Sequence, residues 1–359
     1  MKIYLVGGAI RDRLLGLEVS ERDWVVIGSS HEQMIKLGFI SVGKDFPVFL
    51  HPRTKEEYAL ARTEKKKGHG YKGFTFETKE DVSLFDDLKR RDLTINAIAE
   101  DDDGNIVDPY NGLVDIENKV LRHISSAFVE DPVRLVRIAR FAAKFPEFTV
   151  HDTTKQLLKD LVKSGELLYL TVERVWLELE KALKCQASWK FFEVLHECGA
   201  NEVLWPGFLK HNYAHLLEKV ANENVIVKFS ALCVDQDLST LSLMLKKYKV
   251  PRSISDIAIL VAKYANEYYD LTGDSNEVVS LLYKLDAWRR PQRLDLFCKA
   301  CNSYTRCFIK DLDYLKKVFG VIQNVSLSDI PGHEKIPHQE ISKRLFDYRV
   351  KVLENHSIT

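Results

Sequence analysis

The first part of the chain carries short apolar runs separated by polar turns, whereas the rest carries apolar residues at helical spacing. Residues 3–6 form one apolar run, which Gly7-Gly8 ends, and residues 24–27 form a second. Short apolar runs bounded by glycine and polar residues are typical of buried strands. The pattern predicts a strand at each place and, between them, a helix over residues 9–15 that Gly16 ends.

Two further runs, residues 47–51 and 57–62, are separated by the polar segment 52–56. This arrangement predicts two strands joined by a turn. A basic segment rich in glycine follows over residues 65–73, and its composition predicts a flexible loop.

From about residue 131 the apolar positions recur every three or four residues, as they do on one face of a helix. The spacing predicts helices over residues 131–144, over 170–183 after a threonine cap, and over 338–353 after a proline. The change of pattern therefore predicts an α+β protein, with an α/β domain over residues 1–125 and an all-α remainder.

Composition narrows this interpretation without identifying a function. The chain has 359 residues, 45% of them apolar, and a formal net charge of zero. Two or three domains are expected at this length, and a neutral total does not exclude a nucleic-acid partner, because local basic patches matter more.

We find no secretory signal and no apolar run long enough for a membrane span, so the sequence predicts a cytoplasmic protein with reduced cysteines. Cys298 and Cys301 have metal-site spacing but lack a second pair, so we interpret them as core residues of a helix.

Two carboxylates stand at the predicted start of the second strand. The i, i+2 spacing of Glu21 and Asp23 points both side chains to one face. Carboxylate oxygens are the ligands that Mg²⁺ prefers, and Glu57 supplies a third carboxylate if its strand is adjacent. Such a set can activate an attacking hydroxyl and stabilise a leaving diphosphate. Alone, an acidic pair is more often a solvated strand end.

The residues that precede this pair strengthen the chemical interpretation. Gly7-Gly8 lies at the start of the first predicted helix, where backbone amides approach a phosphate closely because glycine has no side chain. Arg11 lies on the first turn and reaches the same anion. A strand, two glycines, a helix with Arg11-Asp12 and an acidic pair together indicate phosphate-transfer chemistry.

Arginines dominate two later segments. Arg90-Arg91 precedes a predicted apolar helix, and Asp131, Arg134, Arg137 and Arg140 recur every three residues along another. An ordinary charged surface explains either segment alone, but the excess of positive charge suits a triphosphate. Cytosine and adenine both present an amine donor beside a ring-nitrogen acceptor, and uracil and guanine do not. A carboxylate and a guanidinium such as Asp131 and Arg134 can therefore select C and A without a template.

Taken together, these segments resemble the class II CCA-adding tRNA nucleotidyltransferases. These enzymes belong to the polymerase β-like superfamily, which also contains bacterial poly(A) polymerases. The resemblance is close over residues 1 to about 205 and recognisable again at 285–293. The matching segments are residues 5–12, 22–26, 57–64, 90–97, 108–112, 121–122 and 130–141.

The resemblance implies a fold, an activity and a set of roles. It implies a polymerase β-like nucleotidyltransferase head with a mixed sheet over residues 1–125, a helical neck over 126–205 and a helical body and tail over 206–359. The implied activity adds C and A to the 3′ end of tRNA from CTP and ATP with release of diphosphate, and it has no DNA or membrane partner. The loop at 65–73 matches the loop of members that add the terminal A. The implied site has Glu21 and Asp23 binding Mg²⁺, Gly8 and Arg11 at the triphosphate, Arg91 at the nucleotide, and Asp131, Arg134, Arg137 and Arg140 in the nucleotide pocket.

Two departures from the family leave alternatives open. The first metal position usually holds Asp and here holds Glu21, whose extra methylene shifts the carboxylate. Val234 stands where many relatives carry the metal-binding His of a phosphohydrolase domain, so we predict no such activity. Basic residues outnumber acidic ones from Lys284 onward, which suits tRNA phosphates. The alternatives are a poly(A) polymerase or A-adding enzyme, and a tRNA-binding homologue weakened in catalysis by Glu21.

Overall fold

The computed structural model describes most of the chain. The described residues are 1–19, 21–42, 48–66, 74–77, 81–209, 213–304 and 313–356. They form two compact units, the first comprising Met1–Ala182 with Lys190–Pro206, and the second comprising Leu183–Trp189 with Gly207–Thr359. The division into head, neck, body and tail stays a prediction.

A mixed sheet forms the N-terminal part of the first unit. Its strand order among the described residues is β3-β4-β5-β2-β1-β8-β9. Strands β2 and β5 are parallel and the other neighbours are antiparallel. The α+β prediction with a mixed sheet is therefore confirmed. The strands of the unit are β1 (Lys2–Val6), β2 (Asp23–Ile27), β3 (Ile40–Ser41), β4 (Val48–Leu50), β5 (Glu57–Leu60), β6 (Thr63–Lys66), β7 (Phe74–Glu77), β8 (Ala99–Glu100), β9 (Ile106–Val107), β10 (Val120–Leu121) and β11 (Thr149–Val150).

Apolar residues cover both faces of the sheet. On β1, Leu5 packs with Ile10 and Ile98, whereas its neighbour Val6 packs with Val25 on the other side. Successive side chains of a strand point to opposite faces, so a continuous apolar run marks a strand buried on both sides. The polar residues of the sheet are consequently displaced to the strand ends.

Three local predictions for this region need correction. Strand β2 begins at Asp23, so Glu21 precedes the strand instead of sharing its face in regular register. Lys65 and Lys66 belong to β6, which pairs antiparallel with β7, and the rest of the predicted loop, residues 67–73, lies outside the described residues. Arg90 and Arg91 follow a helix and lead into a short 3-10 turn, so no apolar helix follows them.

Helices make up most of the first unit after the sheet. Two short parallel strands, β10 and β11, join the end of the sheet region to the helices. The predicted helices at 131–144 and 170–183 are present as α5 and α7. The helices are α1 (Gly8–Leu14), α2 (His31–Lys36), α3 (Leu84–Lys89), α4 (Gly112–Glu117), α5 (Val133–Lys144), α6 (Asp152–Lys163), α7 (Val172–Lys184), α8 (Trp189–Glu197) and α9 (Ala200–Leu204).

The second unit is helical throughout its described residues. Its core is built where α11, α13 and α15 pack together, around buried aromatic residues such as Phe229, Tyr268 and Phe297. Cys298 and Cys301 are fully buried in α15, and Val234 is buried after α11. The helices are α10 (Tyr213–Lys219), α11 (Val225–Ala231), α12 (Leu238–Lys247), α13 (Arg252–Tyr269), α14 (Ser275–Lys284), α15 (Pro291–Cys301), α16 (Tyr314–Ile322) and α17 (Ile341–Glu354). None of the described helices is both long enough and apolar enough to cross a membrane.

Candidate active site

One cavity of about 680 Å³ in the first unit collects the predicted functional residues. The ends of β1, β2 and β5 form one side of it, and α5 and α7 form another. All ten residues singled out from the sequence line this cavity, although they come from segments far apart in the chain. They are Gly8, Arg11, Glu21, Asp23, Glu57, Arg91, Asp131, Arg134, Arg137 and Arg140.

The lining of the cavity carries an excess of positive charge. Ten arginine and lysine residues line it, against six aspartate and glutamate residues. A cleft lined by charge of one sign concentrates oppositely charged solutes. Several of these cations form ion pairs with carboxylates, and these pairs fix the positions of the positively charged side chains. The cavity is suited to a polyanion the size of a nucleoside triphosphate.

The acidic residues lie at one edge of the cavity, at the ends of neighbouring strands. Asp23 begins β2 and Glu57 begins β5, and the two are register partners across the parallel pair. The adjacency that the Glu57 prediction required is therefore present. Burial raises the pKa of Asp23, the positive charge of Arg91 lowers it, and the charge of Glu21 raises it again. The Asp23 carboxylate thus lacks full compensation for its charge, and a cation would supply it.

Within the described residues, no three Asp, Glu, His or Cys side chains come together as a metal cage. The role of Glu57 as a third carboxylate therefore stays a prediction. The remaining donor set consists of the carboxylates of Glu21 and Asp23, which lie open to the cavity. Mg²⁺ typically uses one or two protein carboxylates together with water and substrate phosphates. Two carboxylates fit that requirement.

Gly7 brings the backbone close to an arginine at the start of α1. Its φ of 76° lies in the left-handed region, and a Cβ at this position would lie 2.9 Å from Nη1 of Arg91. Both features require glycine. Gly8 then begins the helix and lines the cavity, and a Cβ at this position would lie 3.3 Å from Nη2 of Arg11.

Arg91 is held in place without having all its hydrogen bonds satisfied. Its Nη2 donates to Oδ2 of Asp87 at 3.3 Å, and its buried Nε has no hydrogen-bond partner among the described residues. Asp87 is fully buried and also accepts from Arg90 at 2.6 Å. Although burial alone would raise it, the pKa of Asp87 is held low by Arg90 and Arg91. Asp87 therefore positions two arginines at the wall of the cavity.

Arg11, which the sequence predicted at the triphosphate, is buried among its protein partners. Its Nε donates to Oδ1 of Asp12 at 2.8 Å, and Nη1 donates to Oδ1 of Asn96. The guanidinium also lies 5.2 and 5.1 Å from the ring centroids of Phe141 and Phe145. Burial lowers the pKa of Arg11, with Asp12 opposing the shift. The residue packs α1 against α5 and also lines the cavity.

The arginine stripe of α5 is present, but each arginine has a specific partner. Arg134 is buried and donates to the carbonyl oxygens of Ala127, at 2.8 Å, and of Arg90. These bonds tie the start of α5 to the segment that carries Arg91. Arg134 therefore combines a structural contact with its place in the cavity wall.

Two buried carboxylates hold the other arginines of the stripe. Asp92 accepts from Nε of Arg137 at 2.8 Å and from Asn96 at 2.9 Å, and Glu178 of α7 accepts from Arg140. Burial by itself would raise the pKa of Asp92, but Arg137 and Asn96 keep it well below the usual range. The same ion pair raises the pKa of Arg137. Both arginines are thus fixed and charged at the cavity wall.

Asp131 is paired with an arginine that the sequence analysis did not single out. Nη1 and Nη2 of Arg174 donate to Oδ1 and Oδ2 of Asp131 at 3.1 and 2.7 Å. Oδ1 also accepts from the backbone amide of Val133, at 3.2 Å, at the start of α5. Arg174 thereby orients the carboxylate predicted to read the base.

The residues that sequence reasoning missed lie mostly behind the cavity wall. Asp87, Asp92 and Glu178 are buried carboxylates, and each holds an arginine. A signal was present in α7, where Arg174, Glu178 and Lys181 are spaced i, i+4 and i+7 on one helical face. Arg174 and Lys181 both line the cavity.

Two family models match the chain. The model described as the poly A polymerase head domain matches residues 3–122, and the one described as the probable RNA and SrmB-binding site of polymerase A matches residues 147–212. The first match extends from β1 through β10, and the second contains β11 and the helices α6 to α9.

Relatives and solved structures match nearly the whole chain. The chain is 43% identical over 357 residues to a CCA-adding enzyme of Coxiella burnetii, covering 98% of this chain and 95% of the relative. A CCA-adding enzyme in complex with ATP matches with a TM-score of 0.74 and 22% identity, covering 98% of this chain and 86% of that one. The Thermotoga maritima CCA-adding enzyme complexed with tRNA matches with a TM-score of 0.68 and 21% identity, covering 100% and 88%.

Proposed function

The chain belongs to the family of the CCA-adding enzymes, and on this premise we propose that it adds C, C and A to the 3′ end of tRNA. The nucleotides come from CTP and ATP, diphosphate is released, and no nucleic-acid template is used. The observation that carries the proposal is the convergence of all ten predicted residues on one cationic cavity. Two carboxylates open to the same cavity fit metal-assisted nucleotidyl transfer.

The residues of the cavity bind the triphosphate in position for attack by the tRNA. The triphosphate is bound and oriented by Gly8, Arg11, Arg91 and the cations of α5, because all of them line the same cavity. The 3′-hydroxyl of the tRNA attacks the α-phosphorus in line, so that a new P–O bond forms as the bond to diphosphate breaks. Holding both reactants in one geometry removes much of the entropic barrier to this step.

Glu21 and Asp23 are the residues that would hold Mg²⁺. When bound, the ion would supply Lewis-acid stabilisation of negative charge on the phosphates. The uncompensated charge of Asp23 supports this assignment. Glu57 lies directly across from Asp23 and keeps its predicted role as an additional carboxylate of the reaction.

Base selection rests on Asp131 and Arg134. The Asp131 carboxylate accepts a hydrogen bond from the exocyclic amine that C and A share, and a guanidinium donates to the adjacent ring nitrogen. Arg174 holds the carboxylate through both oxygens and so fixes its direction. Oδ1 already accepts from Arg174 and from the amide of Val133, whereas Oδ2 accepts from Arg174 alone among these contacts and retains a lone pair for the amine. We place the activity in the cytoplasm, where tRNA ends are processed and repaired.

Incorporation of single nucleotides tests the proposal. Labelled CTP and ATP are supplied separately, with Mg²⁺, to tRNA transcripts ending in the discriminator base, in C and in CC. We expect CTP to extend the first two transcripts and ATP to extend the third. Repeated addition of A without any C would favour poly(A) polymerase, the second candidate, which the name of the matching head model supports.

The substitution at the first metal position has its own control. If the protein binds tRNA but incorporates nothing, and Glu21→Asp restores incorporation, the chain is a tRNA-binding homologue with weakened catalysis. Incorporation by the unaltered protein would exclude that alternative.

A further inference from the structure

Four arginines gather at one end of α15 in the second unit, and the cavity does not account for them. They are Arg252, Arg289, Arg290 and Arg293, named here the arginine cluster. Two of these side chains are strongly exposed, Arg252 at 89% and Arg289 at 82%, and Arg290 is exposed at 51%. The cluster therefore presents guanidinium groups outward.

The cluster is built around two carboxylates that cannot neutralise it. Asp286 accepts from Nε of Arg289 at 2.7 Å, and Asp256 accepts from Nη2 of Arg293 at 2.9 Å. Arg290 lies 3.9 Å from each of these carboxylates, and Arg252 lies 3.8 Å from Asp256. Four positive charges thus face two negative ones. The carboxylates fix the directions of the arginines and leave an excess of positive charge.

The loop that carries the cluster is firmly anchored. Leu285 and Ala287 are fully buried, and Asp286 between them adopts a left-handed conformation with φ 58°. Trp288 packs against Tyr283 at 4.7 Å between ring centroids, and the guanidinium of Arg349 lies 3.9 Å from the Trp288 ring. This anchoring sets Arg289 and Arg290 on a rigid support, which lowers the entropic cost of a contact.

Helix stability does not explain the position of these arginines. Arg252 begins α13 and Arg293 lies in the first turn of α15, and neither first turn holds an acidic residue. The amino-terminal end of a helix carries partial positive charge and favours acidic residues, so cations there are unfavourable. The cluster places arginines at the amino-terminal ends of α13 and α15, and one arginine from each end lies beside Asp256. Because these positions are unfavourable for helix stability, we expect an external anion to compensate the positive charge.

We propose that the arginine cluster binds the phosphate backbone of the tRNA. Arginine presents a planar fork that matches phosphate oxygens, and contacts of this kind position an RNA without reading its sequence. The cluster is a tRNA-positioning surface that determines affinity for tRNA and leaves nucleotide binding untouched. This inference rests on the proposed function for the identity of the RNA.

The test compares a variant of the cluster with a matched control. Arg289→Ala with Arg290→Ala removes two exposed charges. Lys219→Ala with Lys299→Ala removes two charges of the same unit outside the cluster: Lys219 is exposed at the end of α10, and Lys299 of α15 pairs with Glu223 and Asp295. Direct tRNA binding is measured by fluorescence anisotropy over a range of salt concentrations, and steady-state KM values are measured for tRNA, CTP and ATP. Arg252→Ala is a second cluster variant, chosen because its exposed side chain has only one long ionic contact among the described residues.

We expect the double cluster variant to raise the Kd and KM for tRNA about tenfold and to reduce the salt dependence of binding by about two charges. Arg252→Ala should raise the Kd about threefold, and the KM for CTP and ATP should not change. An unchanged Kd and salt slope, or an equal loss in the control, would overturn the proposal. Binding is measured without turnover, so tRNA binding that depends on the cluster in a protein that adds no nucleotide would contradict the proposed function alone.

Discussion

Asp131 offers the sharpest single test of how the protein selects a base. Asp131→Asn keeps the size of the side chain and replaces one carboxylate oxygen by an amide nitrogen. The amide can accept from the amine of C and A or, after rotation, donate to the carbonyl of U and G. We therefore expect the variant to incorporate UTP and GTP far more readily than the unaltered protein does.

The expected size of the effect follows from the contacts of the carboxylate. A bidentate base contact discriminates by about 1–3 kcal/mol, and about 1.4 kcal/mol corresponds to a factor of ten. The ratio of kcat/KM for CTP to that for UTP should therefore fall by about 5- to 150-fold. Asp131→Asn also weakens the ion pair with Arg174, whose side chain is about one-third exposed. The free energy of unfolding should therefore fall by about 1 kcal/mol.

Arg174→Gln is the matched control because it breaks the same ion pair and leaves the carboxylate in place. Asp131 keeps its hydrogen bond from the amide of Val133 in this variant. Incorporation of each nucleotide is followed on tRNA ending in the discriminator base, with urea denaturation to measure stability. Arg174→Gln should lose rate but keep its preference for CTP over UTP. The reasoning is refuted if Asp131→Asn keeps the original ratio, or if Arg174→Gln loses as much selectivity.

Three further predictions concern the positioning of the phosphate and metal groups. Gly7→Ala places an alanine in the left-handed conformation with its Cβ against Arg91, so we expect the protein to be destabilised by about 1–2 kcal/mol. The KM for CTP and ATP should rise while the KM for tRNA stays the same, and an unchanged KM for the nucleotides would contradict this reasoning. The folded pKa of Asp92 lies below its unfolded value, so its ionic stabilisation is present above pH 4 or so and is lost as the pH falls through the folded pKa. Asp92→Asn should therefore destabilise the protein by about 3 kcal/mol at neutral pH and by less in acid, measured by urea denaturation. A difference in stability between variant and unaltered protein that does not depend on pH would count against the ion pair. The pKa of Asp23 is raised, and Mg²⁺ binds the ionised carboxylate. The acid limb of the pH–rate profile should therefore move to lower pH as the Mg²⁺ concentration increases. An acid limb that does not change with Mg²⁺ concentration would exclude Asp23 as a ligand.

Local patterns in the sequence predicted the elements that carry the site. The apolar runs around Gly7 and Asp23 became neighbouring strands because both faces of the sheet are buried, which is what a continuous apolar run indicates. The three-residue repeat of arginines predicted the inward face of α5, since apolar residues occupy its other faces. These features depend on spacing along one element and are therefore readable from sequence.

Pairings between distant segments were not predictable in the same way. Nothing near Asp131 in sequence indicates that Arg174 binds it, because the contact depends on how α7 packs beside α5. The burial of Arg11 against Phe141 and Phe145 likewise arises from the packing of α1 on α5. The helix predicted after Arg91 was wrong, since a 3-10 turn directs Asp92 inward to Arg137 and leads into β8.

The nature of the added end tests the central claim most directly. A tRNA transcript that ends at the discriminator base is incubated with the protein, Mg²⁺ and all four nucleoside triphosphates together, and the 3′ ends of the products are sequenced. The account predicts that the products end in CCA and extend no further, with U and G absent. Tails of A alone, ends of mixed sequence, or unextended tRNA that is nevertheless bound would contradict it.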